Sequence, residues 1–392
     1  MKHLTGVLVL LLMLTVCCAG AASAEETRTF TDDLGRALTL PVNISAVSPS
    51  GPLAQIVLYS MSPECFVSVS SKVDDAQLKY LDPRIGTLPV TGQFYGAKST
   101  MNAEQIMAMD KELNIDLVLD IGEQKKSMKE DLDTIQSQTG VNFAFVTQNT
   151  LSDIAPSYLR LGDLLNMPEQ GQNLSTYVDN LLKEFDAGMQ KIGDKKVSMI
   201  YVTKVDGNAV SLIGSGTTSY HGEVINYLTE NSAAASVSSS GTGDTYSMED
   251  ILALDPDFII VAWDAKHAGY TEITNNEMWK TLRAVKNGNV YEAPYGPYSW
   301  MGGPPSVHRL LSLMWLGNLF YPDVFNYDLQ TKVTEFYSLF FHYNLSASEY
   351  ADLTKYSLKT PEATTAAKTP APLAGVFAGL AAAGAVFVMR RQ

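Results

Sequence analysis

Ser215, His221 and Asp264 are the residue types of a nucleophilic hydrolase: a hydroxyl to attack, an imidazole to take its proton and a carboxylate to orient the ring. No G-x-S-x-G elbow surrounds Ser215, and a scattered Ser, His and Asp arise in any chain of this size, so a membrane-anchored hydrolase is the weaker reading. Beyond the leader the histidines are His221, His267, His308 and His342. A site for free nickel, zinc or manganese needs several His or carboxylate side chains converging. His221 and His267, with Asp264, are the metal candidates, and His308 lies in an apolar run that assigns it to structure. "GSGTTSYHG" (214–222) is rich in glycine and hydroxyls but lacks G-x-x-x-x-G-K-[ST], which sets nucleotide binding aside. Its backbone N–H groups can still meet a polar ligand edge.

The other recurring chemistry is aromatic. Phe94, Tyr95, Tyr220, Trp263, Tyr295, Tyr298 and Trp300 all fall in loops that follow strand-like runs. Flat rings give large apolar area at little entropic cost, and Tyr and Trp add a polar tip. Ser50, Phe94, Tyr95, Ser215, Tyr220, Trp263, Tyr298 and Trp300 are therefore the expected ligand-binding residues, suited to a bulky, partly planar solute. Lys98, Lys204 and Lys266 are available to neutralise an anionic one.

The elements that must position these loops follow from periodicity. Apolar runs at Ile44–Val47, Phe66–Val69, Asp116–Asp120 and Phe143–Val146 alternate with amphipathic segments at 102–109 and 128–138, a parallel α/β pattern. Each run ends in a polar or Gly-containing loop, where open α/β sheets bind ligands. A helical pattern from 167 to 192, about twice the usual helix length, interrupts the rhythm and suggests a spacer between two lobes. Strands then resume at 197–202, 209–213, 258–262 and 290–293, with a helix at 222–228. The loop "SWMGGPPSV" leads to a helix apolar on nearly every side, which Ser306 is placed to cap.

The ends carry their own signals. Lys2, an apolar run and Ala22-Ser23-Ala24 predict a signal peptide over 1–24. Residues 356–372 predict a Thr/Pro/Ala-rich tether, and the uncharged run 373–389 before Arg390-Arg391 predicts a C-terminal transmembrane anchor of about 25 Å. With Cys17 and Cys18 in the leader, Cys65 stands alone, so no disulfide framework or Cys-based metal site is expected. The net charge of −14 argues against nucleic acid. Sequons at Asn43, Asn173 and Asn344 carry little weight.

Four segments in order around the long helix give the chain a resemblance: "FTDDLGRALTLPVNISAVSPS" (30–50), "STMNAEQIMAMDKELNIDLVLDIG" (99–122), "YSMEDILALDPDFIIVAW" (246–263) and "SWMGGPPSVHRLLSLMWLGNLFYPD" (299–323). They resemble extracytoplasmic substrate-binding proteins of ABC importers for iron-siderophore, haem and cobalamin. The resemblance implies an α/β fold of two lobes with parallel sheets, 25–166 and 193–355, joined by one rigid helix, 167–192, with the ligand cleft between them. It also implies a membrane-anchored, extracytoplasmic, monomeric binding protein that captures a metal chelate and delivers it to an ABC permease and its ATPase. No cofactor and no enzymatic activity are expected. Members use surface glutamates to dock the permease; Glu104 and Glu223 are the candidates, and Gln55 stands where the family usually has a Glu.

Overall fold

The computed structural model describes residues 26–95, 99–213, 222–231 and 243–359. Asp33 to Arg36 turn between β1 (Thr27–Thr31) and β2 (Ala37–Pro41), an antiparallel hairpin that Gly35 closes with φ +73°. Three strands then pair in parallel, β3 (Val47–Pro49), β4 (Leu117–Gly122) and β5 (Phe143–Thr147). Parallel pairs need crossovers, which α1 (Pro52–Met61), α2 (Ala103–Leu113) and α3 (Met128–Thr139) supply. Alternate side chains enter different cores: Leu117, Leu119 and Ile121 one, Val118, Phe143 and Phe145 the other. A sheet covered on both faces reads as unbroken apolar runs, as these do. The run at 66–69 forms isolated bridges to Val47 and Val90 and no strand; Arg84 takes the Phe66 carbonyl at 2.9 Å.

Helix α4 (Leu151–Leu164) and helix α5 (Pro168–Ile192) follow. Leu174, Val178, Leu181 and Phe185 are buried at helical spacing along α5. The two helices meet at Gly171, where a Cβ would lie 2.5 Å from the Tyr158 carbonyl oxygen.

The second sheet contains β6 (Ser198–Asp206), β7 (Ala209–Ile213), β8 (Glu230–Asn231), β9 (Asp244–Ser247), β10 (Phe258–Val261) and β11 (Val290–Glu292) in the order β11-β10-β6-β7-β9, with β8 beside β6. β6, β8, β10 and β11 run parallel, whereas β7 runs against them and pairs antiparallel with both β6 and β9. The reversal follows from the Gly207-Asn208 turn, which is too short for a crossover. Again Ile200, Val202 and Ile259 face one core while Met199, Tyr201 and Ile260 face the other. That second core is continuous with α5 and the first sheet.

Helices α6 (Glu223–Leu228), α7 (Met248–Leu254) and α8 (Ala268–Asn275) pack on this sheet, whereas α9 (Arg309–Phe320) packs on α6 and on α10 (Leu329–Phe340), which in turn meets α1 and α11 (Ala347–Leu353). Helix α9 is buried from Arg309 to Gly317, as its all-round apolar sequence predicts. Its expected cap is not used. A preceding turn, Arg309 N–H to Ser306 C=O at 3.0 Å and Leu310 N–H to Val307 C=O at 3.0 Å, moves the helix start two residues on and leaves the buried Ser306 hydroxyl outside it.

The first residues of the expected tether, 356–358, pack on the fold. Ser357 is buried, its hydroxyl donates to the Glu292 carbonyl at 2.6 Å, and the Trp315 indole N–H reaches the Ser357 carbonyl at 2.7 Å. The segments expected as signal peptide and membrane anchor, and the rest of the expected tether, lie outside the described residues. Among the described residues no helix is long and apolar enough to cross a membrane.

Candidate functional site

The C-terminal ends of all three strands of the first sheet open into one cavity of about 300 Å³. Ser50 follows β3, Asp120 to Gly122 end β4, and Gln148 and Asn149 follow β5. The N-terminus of α1, Gly51 to Ala54, forms another part of the lining, with Gln93, Tyr95, Glu123, Lys125 and Met128. Pro304 and Pro305, from the loop before α9, close the far side. Helix α1 has no side-chain cap, so the N–H groups of its first turn remain available at the cavity.

Polar side chains are fixed from below. Asp120 is 7% exposed, and its Oδ1 accepts the Ser50 hydroxyl. Burial pushes the Asp120 carboxyl up to about 6, against the opposing pull of the Ser50 hydroxyl and Lys125. Tyr95 donates to Asp131 Oδ2 at 3.3 Å, and the Lys125 ammonium stands 4.7 Å from its ring centroid. Burial and then Asp131 and Asp120 raise the Tyr95 phenol, which stays protonated.

Of the expected ligand residues, Ser50 and Tyr95 line this cavity. Phe94 packs edge-on to Tyr95 at 4.7 Å and supports it from behind. Ser215, Tyr220 and His221 lie outside the described residues, as does Lys98. Trp263 stacks on Tyr295 at 4.3 Å and 12° and belongs to a smaller cavity of about 170 Å³, with Tyr80, His267, Glu292 and Tyr356. Tyr298 and Trp300 depart from the expectation of a ligand-facing loop. Tyr298 is 6% exposed and stacks on His308, and Trp300 is fully buried edge-on to Trp315. The cause is the apolar surface of α9, which draws both rings into the core.

Other candidates are engaged in structural roles. His267 Nδ1 lies 2.6 Å from Glu292 Oε2, and among the described residues no group of three or more His, Cys, Asp or Glu is placed to hold a metal ion. Asp264 caps α8, accepting from Lys266, Ala268 and Gly269; these bonds outweigh burial and lower its carboxyl. Gln55 accepts from the Ser70 N–H and hydroxyl at 2.8 and 2.9 Å. Glu104 is exposed in the first turn of α2. Glu223 is not free in the same way. It pairs with Arg309 at 2.6 Å and accepts the Leu151 N–H at 2.9 and 3.0 Å, while Arg309 also donates to the Asn149 carbonyl at 3.1 Å. This clasp ties α6 and α9 to the start of α4, beside the cavity wall at Asn149.

Sequence reasoning missed Asp120, Gln148, Lys125 and the two prolines. One signal was present: Asp120 is an acid inside the apolar run "LVLDIG", a placement that burial penalises unless the side chain has a task.

The model of the periplasmic binding protein family matches residues 95–295. The Fe(3+)-citrate-binding protein YfmC of Bacillus subtilis (strain 168) is 24% identical over 198 residues, covering 50% of this chain and 58% of that protein. The high-affinity heme uptake system protein IsdE of Staphylococcus aureus (strain MRSA252) is 23% identical over 205 residues, covering 50% and 66%. The chain thus spans less than two thirds of these curated relatives. Among solved structures, an ABC transporter solute binding protein from Sulfurospirillum deleyianum DSM 6946 superposes with TM-score 0.72 at 24% identity, over 84% of this chain and 99% of that one. A periplasmic solute binding protein from Veillonella parvula DSM 2008 gives 0.68 at 24% identity, over 85% and 98%. These two likenesses are of fold.

Proposed function

The chain belongs to the periplasmic binding protein family, and on that footing we propose that it captures a metal chelate outside the cell and passes it to an ABC permease and its ATPase. The observation that carries this reading is the cavity at the three strand ends, walled on its far side by Pro304 and Pro305 from the other half of the chain. Residues 25–166 and 193–355 then act as two lobes joined by α5. Capture is by differential affinity, with no covalent step. A cavity of about 300 Å³ sits at the small end of ligand pockets and suits a compact chelate, or the inward part of a larger one, better than a whole corrinoid. A free transition metal is the lesser reading, since the described residues bring together no ligand cluster for it.

On this reading the leader is cleaved and the apolar C-terminal run holds the protein on the outer face of the membrane as a monomer. Glu104 is the exposed candidate for permease docking, whereas Glu223 serves within the chain. The test is titration of the purified full-length protein with ferric citrate, a ferric hydroxamate, haem, cobalamin and Ni²⁺, followed by thermal unfolding and calorimetry. A bound chelate at 100 times its Kd stabilises the folded state by about 2.7 kcal/mol. If all five leave both the heat signal and the midpoint unchanged, the ligand class is wrong.

A further inference from the structure

We infer that the buried end of the cavity reads hydrogen-bond donors, so that the chelate it takes presents amide N–H or ammonium groups inward and not carboxylates alone. The inference rests on the capture reading and adds the polarity of the ligand.

Two side chains of the lining are almost wholly buried and each keeps one acceptor atom without a partner among the described residues: Asp120 Oδ2 and Gln148 Oε1. The Gln148 amide is oriented by Ser157. Its Nε2 donates to Ser157 Oγ at 2.7 Å, and the Ser157 hydroxyl is itself committed to the Ile154 carbonyl at 2.7 Å, so Oγ is the acceptor and Oε1 is the atom left over. Asp120 is held in the same manner, because Ser50 donates to Oδ1 and leaves Oδ2 bare.

A buried acceptor without a donor costs free energy, the more so when it carries charge, and a ligand N–H placed there recovers that cost. A carboxylate edge would instead set like charge against Asp120. Lys125 and the uncapped first turn of α1 lie in the same lining and can meet the oxygens of the same ligand, so the metal-binding oxygens of a hydroxamate are matched as well as its amides.

Ferrioxamine B, with amide N–H groups and a pendant ammonium, and ferric citrate, with a carboxylate periphery, carry the same metal and separate the two polarities. By calorimetry on the full-length protein, ferrioxamine B is expected to bind at least about tenfold tighter than ferric citrate. Asp120→Asn is expected to weaken ferrioxamine B about tenfold while leaving ferric citrate unchanged or tighter, and Gln148→Leu supplies the same comparison if the first variant fails to fold. Ferric citrate binding the tighter, or ferrioxamine B indifferent to both substitutions, overturns the donor-reading inference and leaves chelate capture standing. If neither chelate binds, the inference falls, and chelate capture is then decided separately by the haem and cobalamin titrations.

Discussion

Asp120 holds a carboxylate where the chain offers it one hydroxyl and little water. Its titration has a defined consequence for stability. The folded carboxyl is pushed up to about 6, whereas in the unfolded chain it ionises near 3.8. Between those values the native protein keeps a proton that the unfolded chain has released. The stabilisation is full below about pH 4 and is lost as pH rises through about 6, a change of about 3 kcal/mol. Asp120→Asn removes this dependence, so wild type should lose ground to the variant as pH rises from 4 to 6 in urea unfolding; a constant difference from pH 4 to 7 would show an unperturbed carboxyl. Of the cavity lining, sequence reasoning named Ser50 and Tyr95 but not Asp120 or Gln148, because loop composition points to aromatics and says nothing of which polar atoms are left unpaired. Trp300 misled for the same reason. A loop tryptophan looks available until the helix behind it is known to be apolar on every face.

Elements were more legible, since periodicity reports burial directly. The strands around 117–122, 143–147 and 258–261 and the helix α5 lie close to where alternation and helical spacing place them. What periodicity could not give was close approach. Helices α4 and α5 touch backbone to backbone because position 171 has no side chain, and a Cβ would lie 2.8 Å from the Gly162 Cα as well as against Tyr158. Gly171→Ala gains helix propensity worth about 1 kcal/mol yet forces the helices apart, and the expected net result is a loss of about 1–3 kcal/mol. Differential scanning calorimetry decides the sign: a raised midpoint would mean that the crossing accommodates a methyl group. The antiparallel half of the second sheet was likewise hidden, because strand runs reveal themselves and their direction depends on a two-residue turn.

For the whole molecule, the Glu223–Arg309 clasp joins the α6–α9 half to the start of α4 beside the cavity. Arg309 is 2% exposed, so removing its charge takes the guanidinium away from both Glu223 and the Asn149 carbonyl. Arg309→Met is expected to lower stability by about 3–5 kcal/mol in urea unfolding, and Glu223→Gln by less, since an amide oxygen still accepts the Leu151 N–H. A loss under about 1 kcal/mol for Arg309→Met would mean that the clasp is dispensable. No spacing in the sequence announces this pair, because its members meet across three elements. The central claim is that the cavity at the strand ends is where solute binds. Leu53→Trp, in the first turn of α1, fills that cavity from a position outside the polar floor. Calorimetric titration of wild type and this variant with whichever chelate binds wild type is the direct measurement. The account predicts binding to wild type and its loss by at least about 100-fold in the variant, with the unfolding midpoint preserved; undiminished binding by the variant would place the ligand elsewhere.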